Sequence, residues 1–595
     1  IPGHDIPPLI FTLFAIYLPS FIANFLSQSP FKILLDEIDI TVTQKERISQ
    51  SSQTTSDGSS PPANEETYID IIDVVLLVQR GKNAFKTLLT GLPSPISPLL
   101  SIITAAFNLG LVLMTVDLVF RGPVWYPSYD LSFARVGYVS DNSAKILIRE
   151  CNTSKLPIYL SYRTADSSSH ADLMPYQQFI SSDTSWQSAR GIYFLSNETD
   201  YTSTAIISGL VPETRYQYAT SSDHMGFFTT APSPGSPTRR NRGKFTFLTS
   251  SCIKPHFPYN VFSHPLTIPG LKNLAQKIPE LKAQFMLFLG DFIYIDAPWR
   301  HGSDVESYRR EYRMVYSSPD WPSVSESLPW IHVLDDHEIA NDWDRNTTGV
   351  YEAAADPWQH YHTSVNPPEV RKGASYFSFN QGPASFFMMD TRRYRSSETA
   401  AAANSTEKTM LGEEQLADLL SWLRKDEPRG VKWKIIASSI PFTKNWRFGG
   451  LDTWGGYLAE RRKILEVMWD VGLKGYGVVI LSGDRHEFAT TSFPPPPSGR
   501  WPVSTTVHEF STSPLSQFYL PVRTYKQEDS EDILIKYIPD GISKFGALEI
   551  ESPQVSEQSL LRFRLFIDGG EVWNYMLTTP PNMVWSGKDK DAIWG

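Results

Sequence analysis

Cysteine is almost missing: two in 595 residues, Cys151 and Cys252. No disulfide framework can therefore staple the chain, and its folded parts must be held by buried apolar surface, which a hydrophobic content of 41% amply supplies. Long basic runs are also missing and the net charge is −10, so nothing here offers a nucleic-acid backbone a patch to hold. Charge itself is absent from two stretches, residues 6–31 and 87–116, each long enough for a bilayer span of about 20 residues. The first residue is Ile rather than Met, as in a fragment or a processed product.

Chemically useful side chains are concentrated in four blocks. FLTSSC ends at Cys252, LFLGDFIYID surrounds Asp291 and Tyr294, VLDDHE surrounds Asp336 and His337, and ILSGDRHEF surrounds Asp484 and His486. An apolar run (FTF, FMLFL, IHVL, VVIL) precedes each block and reads as a buried strand. The blocks then fall on loops past strand C-terminal ends, the rim where open α/β sheets build sites. An Asp carboxylate can bridge two cations, Cys thiolate and Tyr phenolate suit a trivalent or strongly Lewis-acidic ion, and further Asp and His complete a mixed shell. Two cations about 3.5–4 Å apart clamp the attacking and leaving oxygens of an in-line displacement at phosphorus. Asp291 is the expected bridge and Tyr294, three residues on, a phenolate ligand. Cys252, ending its strand, is expected to be a thiolate ligand rather than a structural thiol.

The order GDxxY, acid-His-Glu, GDxH resembles the metallophosphoesterase superfamily, with its GNHE and GHxH blocks written here as DDHE and GDRH. The leading SSC in place of an Asp-x-His block narrows the resemblance to the PhoD-like (alkaline phosphatase D) family. So do SYRREYRMVYSSPDW from Ser307, DTRRYR from Asp390, LGEEQLADLLSWL from Leu411, WGGYLAERRKIL from Trp454 and FSTSPLS from Phe510. The resemblance, over about Phe245–Ser516, implies a four-layer α/β (α+β) sandwich flanked by helices. It implies two or more metal ions, Fe³⁺ and Ca²⁺, and hydrolysis of phosphate esters by hydroxide held between them. Asp336 should bind the second metal, its added charge favouring a hard ion such as Ca²⁺ over Zn²⁺, and Asp484 and His486 should ligate one metal each. His337 is expected to hydrogen-bond the phosphoryl oxygen or protonate the leaving group. One of Arg392, Arg393 and Arg395, with Arg393 chosen, is expected to orient phosphate bidentately, while Asp390 and Trp454–Tyr457 shape the pocket. Where many relatives place another ligand after the strand KIIA, this chain has Ser438 and Ser439. That departure keeps a rival open: a non-catalytic, membrane-anchored binding protein on a phosphatase fold.

Composition divides the rest. Residues 1–125 read as a membrane region with spans near 6–27 and 95–116, a disordered Ser49–Glu66 and an interfacial amphipathic helix at Tyr68–Leu89. Residues 126–235 alternate apolar and polar positions (AKILIRE, IYLSYRT, TRYQYAT) and read as a fibronectin-like β-sandwich without a chemical constellation, that is, a binding or spacer module. Pro232–Lys244 is a linker, residues 244–579 form the phosphoesterase domain, and 580–595 are a tail. Lys32, Lys45, Arg47, Arg80, Lys82 and Lys86 lie between the spans, which assigns that segment to the cytosol and the catalytic part to the lumenal or extracellular side. Sequons at Asn152, Asn197, Asn346 and Asn404 agree with that side.

Overall fold

The computed structural model describes residues 3–27, 35–43, 71–79, 84–94, 97–165, 176, 180, 185–239, 241–551 and 558–583. The expected disordered loop Ser49–Glu66 and most of the tail lie outside the described residues. The chain forms two compact units, Pro7–Val116 and the remainder.

In the smaller unit, helix Ile6–Ser27 and the apolar part of helix Pro98–Trp125 are, by length and composition, long enough to cross a membrane. Asn108, a polar residue in an apolar run, is accommodated because its Nδ2 donates to Tyr17 Oη at 2.9 Å while Tyr17 donates to Gly91 O at 2.8 Å. The expected interfacial helix over Tyr68–Leu89 does not form. Strand β1 (Leu35–Thr43) pairs antiparallel with β2 (Ile71–Gln79), and only Ala84–Thr90 is helical. The run IIDVV is rich in β-branched residues, which lose χ1 freedom in a helix and fit a pleated ladder; its apolar spacing matched either period.

The larger unit opens with β3 (Phe133–Val139), β4 (Ser143–Arg149), β5 (Leu160–Thr164), β6 (Gln187–Ser188), β7 (Thr202–Ser208), β8 (Arg215–Thr220) and β9 (Met225–Thr229). They form sheets ordered β3-β4-β7 and β6-β5-β8-β9 around Val136, Ile146, Leu160, Tyr216, Tyr218 and Phe228, all buried.

Two further sheets build the region that carries the four blocks. One contains β10 (Lys244–Ser250), β11 (Met286–Phe288), β12 (Trp330–His332), β20 (Lys544–Glu551), β21 (Leu560–Ile567) and β22 (Gly570–Thr578) in the order β12-β11-β10-β20-β21-β22. The other contains β13 (Phe377–Gln381), β14 (Ala384–Met388), β15 (Trp433–Ala437), β16 (Gly477–Ser482), β17 (Phe488–Phe493), β18 (Val507–Thr512) and β19 (Ile533–Ile538), ordered β13-β14-β15-β16-β18-β17-β19. Between the sheets Phe247, Leu287, Ile331 and Phe563 meet Phe386, Ile435, Val479 and Phe510, each burial contributing about 1.5–3 kcal/mol. The outer face of the first sheet packs helices Pro269–Leu281, Val305–Tyr316 and Tyr351–Tyr361; that of the second packs Gly412–Arg424 and Leu458–Leu473. Four layers result, mixed α/β in class.

Candidate metal centre

Parallel pairing decides where the blocks go. β10, β11 and β12 run parallel, as do β14, β15, β16 and β18, so the loops after these strands gather at one edge of the sandwich. Two glycines let them close. A Cβ on Gly290, at φ +97°, would stand 2.4 Å from Asp335 Cβ, and one on Gly483 would stand 2.3 Å from Ser251 Oγ. The Gly before each Asp is thus a requirement of close approach. Cys252, Asp291, Asp484 and His486 themselves hold left-handed φ of 62°, 57°, 71° and 57°, a conformation non-glycine residues adopt at a cost and mostly at functional positions.

Three overlapping clusters result: Cys252, Asp291 and His486; Asp291, Asp336 and His337; and Asp291, Asp335, Asp336 and Asp484, with one candidate ligand atom per residue and all atoms of a cluster within 4.8 Å. Asp291 belongs to all three. Its Oδ2 accepts from Cys252 Sγ at 3.3 Å and from Tyr294 Oη at 2.9 Å, and Tyr294 Oη also lies 2.9 Å from His486 Nε2. Every metal-ligand residue expected from the sequence is therefore brought to one place, together with His337. Asp335, which the sequence reading passed over for Asp336, joins them.

Arg393 does not. Its Nη1 donates to Gly373 O at 2.8 Å and its guanidinium lies over the Tyr394 ring. The arginine at the cluster is Arg392, fully buried, with Nε donating to Asp335 Oδ1 at 2.6 Å, Nη1 to Asp452 Oδ1 at 2.7 Å, and Nη2 3.5 Å from Asp336. Arg395 pairs with Asp452 at 2.6 Å behind it. Asp390 turns this loop by accepting from the backbone N–H of both Arg392 and Arg393. Trp454 and Tyr457 are buried in the core of the second sheet's helices. Ser439 Oγ donates to Asp335 Oδ1 at 2.8 Å and Ser438 Oγ to Ile440 O at 2.6 Å.

Two supports were assigned no role from the sequence, Glu338 even though it closes the DDHE block. Glu338 accepts from the backbone N–H of Asp291 (3.1 Å), Phe292 and Asp335 (2.8 Å), tying two rim loops together; burial pushes its carboxyl up to about 7 against those bonds. Asp296 accepts from His337 Nδ1 at 2.6 Å.

The electrostatics call for cations. Burial, with Asp336, Asp335 and Glu338 adding to it and His337 opposing, pushes the Asp291 carboxyl well above the ordinary range. Burial likewise raises Asp335 against Arg392, and raises Asp484 against Arg485. Burial and then Asp291 push both the Cys252 thiol and the Tyr294 phenol up. Burial also lowers His486 to about 3. His337 goes the other way: burial lowers it, but Asp296, Asp336 and Asp291 outweigh that and lift it well above the usual imidazole value. Asp291 Oδ1 and Asp335 Oδ2 are buried without a hydrogen-bond partner among the described residues. Four packed carboxylates set against the buried Arg392 and, at Asp484, Arg485, with acceptor oxygens left over, fit bound cations. The donors form a mixed set around Asp291: Cys252, Tyr294 and His486 in one group, and Asp335, Asp336, Asp484 and the His337 imidazole in the others.

A family model described as PhoD-like phosphatase matches residues 247–554. Among solved structures, one described as PhoD is similar with TM-score 0.56 at 18% identity, covering 76% of this chain and 91% of that one. A purple acid phosphatase from yellow lupin (Lupinus luteus) seeds is similar with TM-score 0.52 at 10% identity, covering 76% of each. No curated protein matches the sequence.

Proposed function

Since the chain belongs to the PhoD-like phosphatase family and is a phosphoric ester hydrolase, we propose that the Asp291 cluster is its active centre and that two cations serve it. The observation that carries this reading is Asp291 at the intersection of all three clusters with one buried oxygen unspent. Cys252, Tyr294 and His486 would hold one ion and Asp336 and Asp484 the other, with Asp291 between. When bound, the ions supply Lewis-acid activation of water and neutralise charge at phosphorus. His337, fixed at Nδ1 by Asp296, keeps Nε2 available to the leaving-group oxygen as a proton donor. Arg392 holds Asp335 and stands beside Asp336, which keeps the second carboxylate set in place.

Purified protein is expected to contain iron together with calcium, to show a coloured Fe³⁺–tyrosinate band, and to hydrolyse phosphate mono- or diesters until a chelator strips it. Active, colourless, zinc-only protein would remove the iron assignment. Metal-replete protein inert toward both ester classes would remove the reading itself.

Cys252→Ser separates ligand from packing. A thiol held protonated by burial and by Asp291 becomes a thiolate only against a cation. The variant should therefore lose iron and activity together, with little change in unfolding of the metal-free protein. Unchanged iron stoichiometry with a stability loss of about 1 kcal/mol, ordinary for a core change, would make Cys252 structural.

We also read the two apolar helices as a membrane anchor with the catalytic part on the lumenal or extracellular side. The four sequon asparagines are all exposed, but Asn346, with its amide oriented to satisfy both atoms, donates to the carbonyls of Arg393 and Arg395. Expression in a eukaryotic secretory system should give glycans at Asn152, Asn197 and Asn404, with Asn346 the poorest acceptor. Glycan-free protein whose catalytic region is cut by protease from the cytosolic side would reverse the topology.

A further inference from the structure

The rim of the centre runs on, without a break in the chain, into Ile253–His264, and this segment is fastened to the final turns of helix Pro98–Trp125. Tyr259 Oη donates to Asp117 Oδ2 at 3.0 Å, Arg121 Nη1 donates to Val261 O at 3.0 Å, and the Tyr126 ring meets His264 at 4.5 Å. Phe120 packs 5.8 Å from Trp299. At its other end the segment touches the centre. Lys254 Nζ donates to Tyr294 O at 3.1 Å, and Phe257 lies 6.4 Å from Phe518, whose ring is 5.4 Å from that of His486.

Asp117 is the first charged residue after the uncharged stretch ending at Val116. Leu99–Val116 measures about 27 Å at 1.5 Å per residue, close to the roughly 30 Å hydrocarbon core of a bilayer. With that stretch in a membrane, chain continuity puts Asp117 and Arg121 at headgroup level, and puts the loop they hold there too. That loop carries Phe262, 95% exposed, beside Val261; the helix end carries Trp125, 72% exposed, beside Val124. Aromatic side chains left open to water next to a span are what a membrane–water interface accommodates.

We propose that Val261–Phe262 and Val124–Trp125 seat in the surface of the bilayer that Leu99–Val116 spans. The centre then works at headgroup height, and its substrates are phosphate esters carried by lipid headgroups. This rests on the phosphoesterase reading above. The reaction is hydrolysis: a water oxygen bonds to phosphorus, the ester P–O bond breaks, and a proton passes to the leaving oxygen.

The test reconstitutes the full chain in phosphatidylcholine vesicles containing phosphatidic acid (monoester) or phosphatidylinositol (diester). Soluble p-nitrophenyl phosphate and bis(p-nitrophenyl) phosphate are run in parallel. Wild type should hydrolyse a lipid ester and a soluble one. Val261→Asp/Phe262→Asp should keep soluble turnover within about two-fold, as for a surface change, and lose lipid-ester turnover by about ten-fold or more, the scale of withdrawing one phenylalanine from apolar surroundings. Equal rates for variant and wild type on lipid, or equal losses on both substrates, would overturn the proposal. Wild type active on soluble esters but inert on both lipids would overturn it while leaving the phosphoesterase reading standing; inactivity on every ester would remove that reading instead. Self-association abolished in the variant with lipid turnover intact would assign the loop to a second copy and overturn the lipid seat.

Discussion

Asp291→Asn is expected to lower phosphate-ester turnover by about three orders of magnitude or more, near 4 kcal/mol of transition-state stabilisation at 1.36 kcal/mol per decade, and yet to stabilise the metal-free protein. Asn tolerates the left-handed φ of 57° at this position and can still accept from Tyr294, so the loop keeps its shape. What it removes is a carboxylate buried among Asp335, Asp336 and Asp484. Burial raises the Asp291 carboxyl in the folded state, so the native protein binds its proton more tightly than the unfolded chain does. Stability of the metal-free wild type therefore falls as pH rises above the unfolded value of about 3.9 and stays lowered once pH passes the folded value. The variant should escape that penalty, unfolding at higher temperature near neutrality and no differently in strong acid. With metals present the order should invert, because the ions bind only the wild-type centre tightly. Calorimetry with and without chelator across pH reads all three effects. A variant that keeps most of its turnover would place the chemistry elsewhere.

Arg392→Met should cost the fold about 3–5 kcal/mol, the range for removing one partner from a buried ion pair. The guanidinium is wholly buried between Asp335 and Asp452 and 3.5 Å from Asp336. Asp452 retains Arg395, but Asp335 is left with Ser439 alone, and a hydroxyl does not offset a charge in a dry site. Burial raises the Asp452 carboxyl, yet Arg392 and Arg395 outweigh it and hold the group below its usual range. Its contribution is thus present above about pH 3.9 and lost as pH falls through the lowered value. The gap between variant and wild type should accordingly be widest near neutrality and narrow in acid. Adding Asp335→Asn should restore much of the stability without restoring hydrolysis. Denaturant midpoints for the single and double variants decide it; a loss below about 1 kcal/mol for Arg392→Met would mean that Asp335 finds another partner.

The strand ends were legible because each block is announced by an apolar run and, for Asp291 and Asp484, by a glycine that a close approach demands. The four-layer class was legible through the family resemblance that those blocks carry. What escaped lies in loops, where side-chain direction has no fixed period. DDHE offers two adjacent acids, and no spacing rule says that both Asp335 and Asp336 face the cluster. In DTRRYR the backbone turns on Asp390, and that turn sends Arg392 inward and Arg393 outward. Asp452 meets Arg392 from a distant loop with no local pattern around it. Ile71–Gln79 failed differently, its apolar spacing serving a helix or a strand until a partner, Leu35–Thr43, is in view.

The placement of β10 between β11 and β20 has a consequence for how the protein is made. Lys244 pairs with Glu551, and the roughly 300 residues between them take about 15–60 s to emerge from a ribosome. Throughout that interval the strand leading to Cys252 shows one unpaired edge, an apolar FTFLTS that can add a stranger's strand instead of its own. Metal capture has to await release of nearly the whole domain, so chaperone supply should limit yield more than codon choice. A stop codon ahead of Lys544 should deliver an aggregating nascent product and not a weakened enzyme.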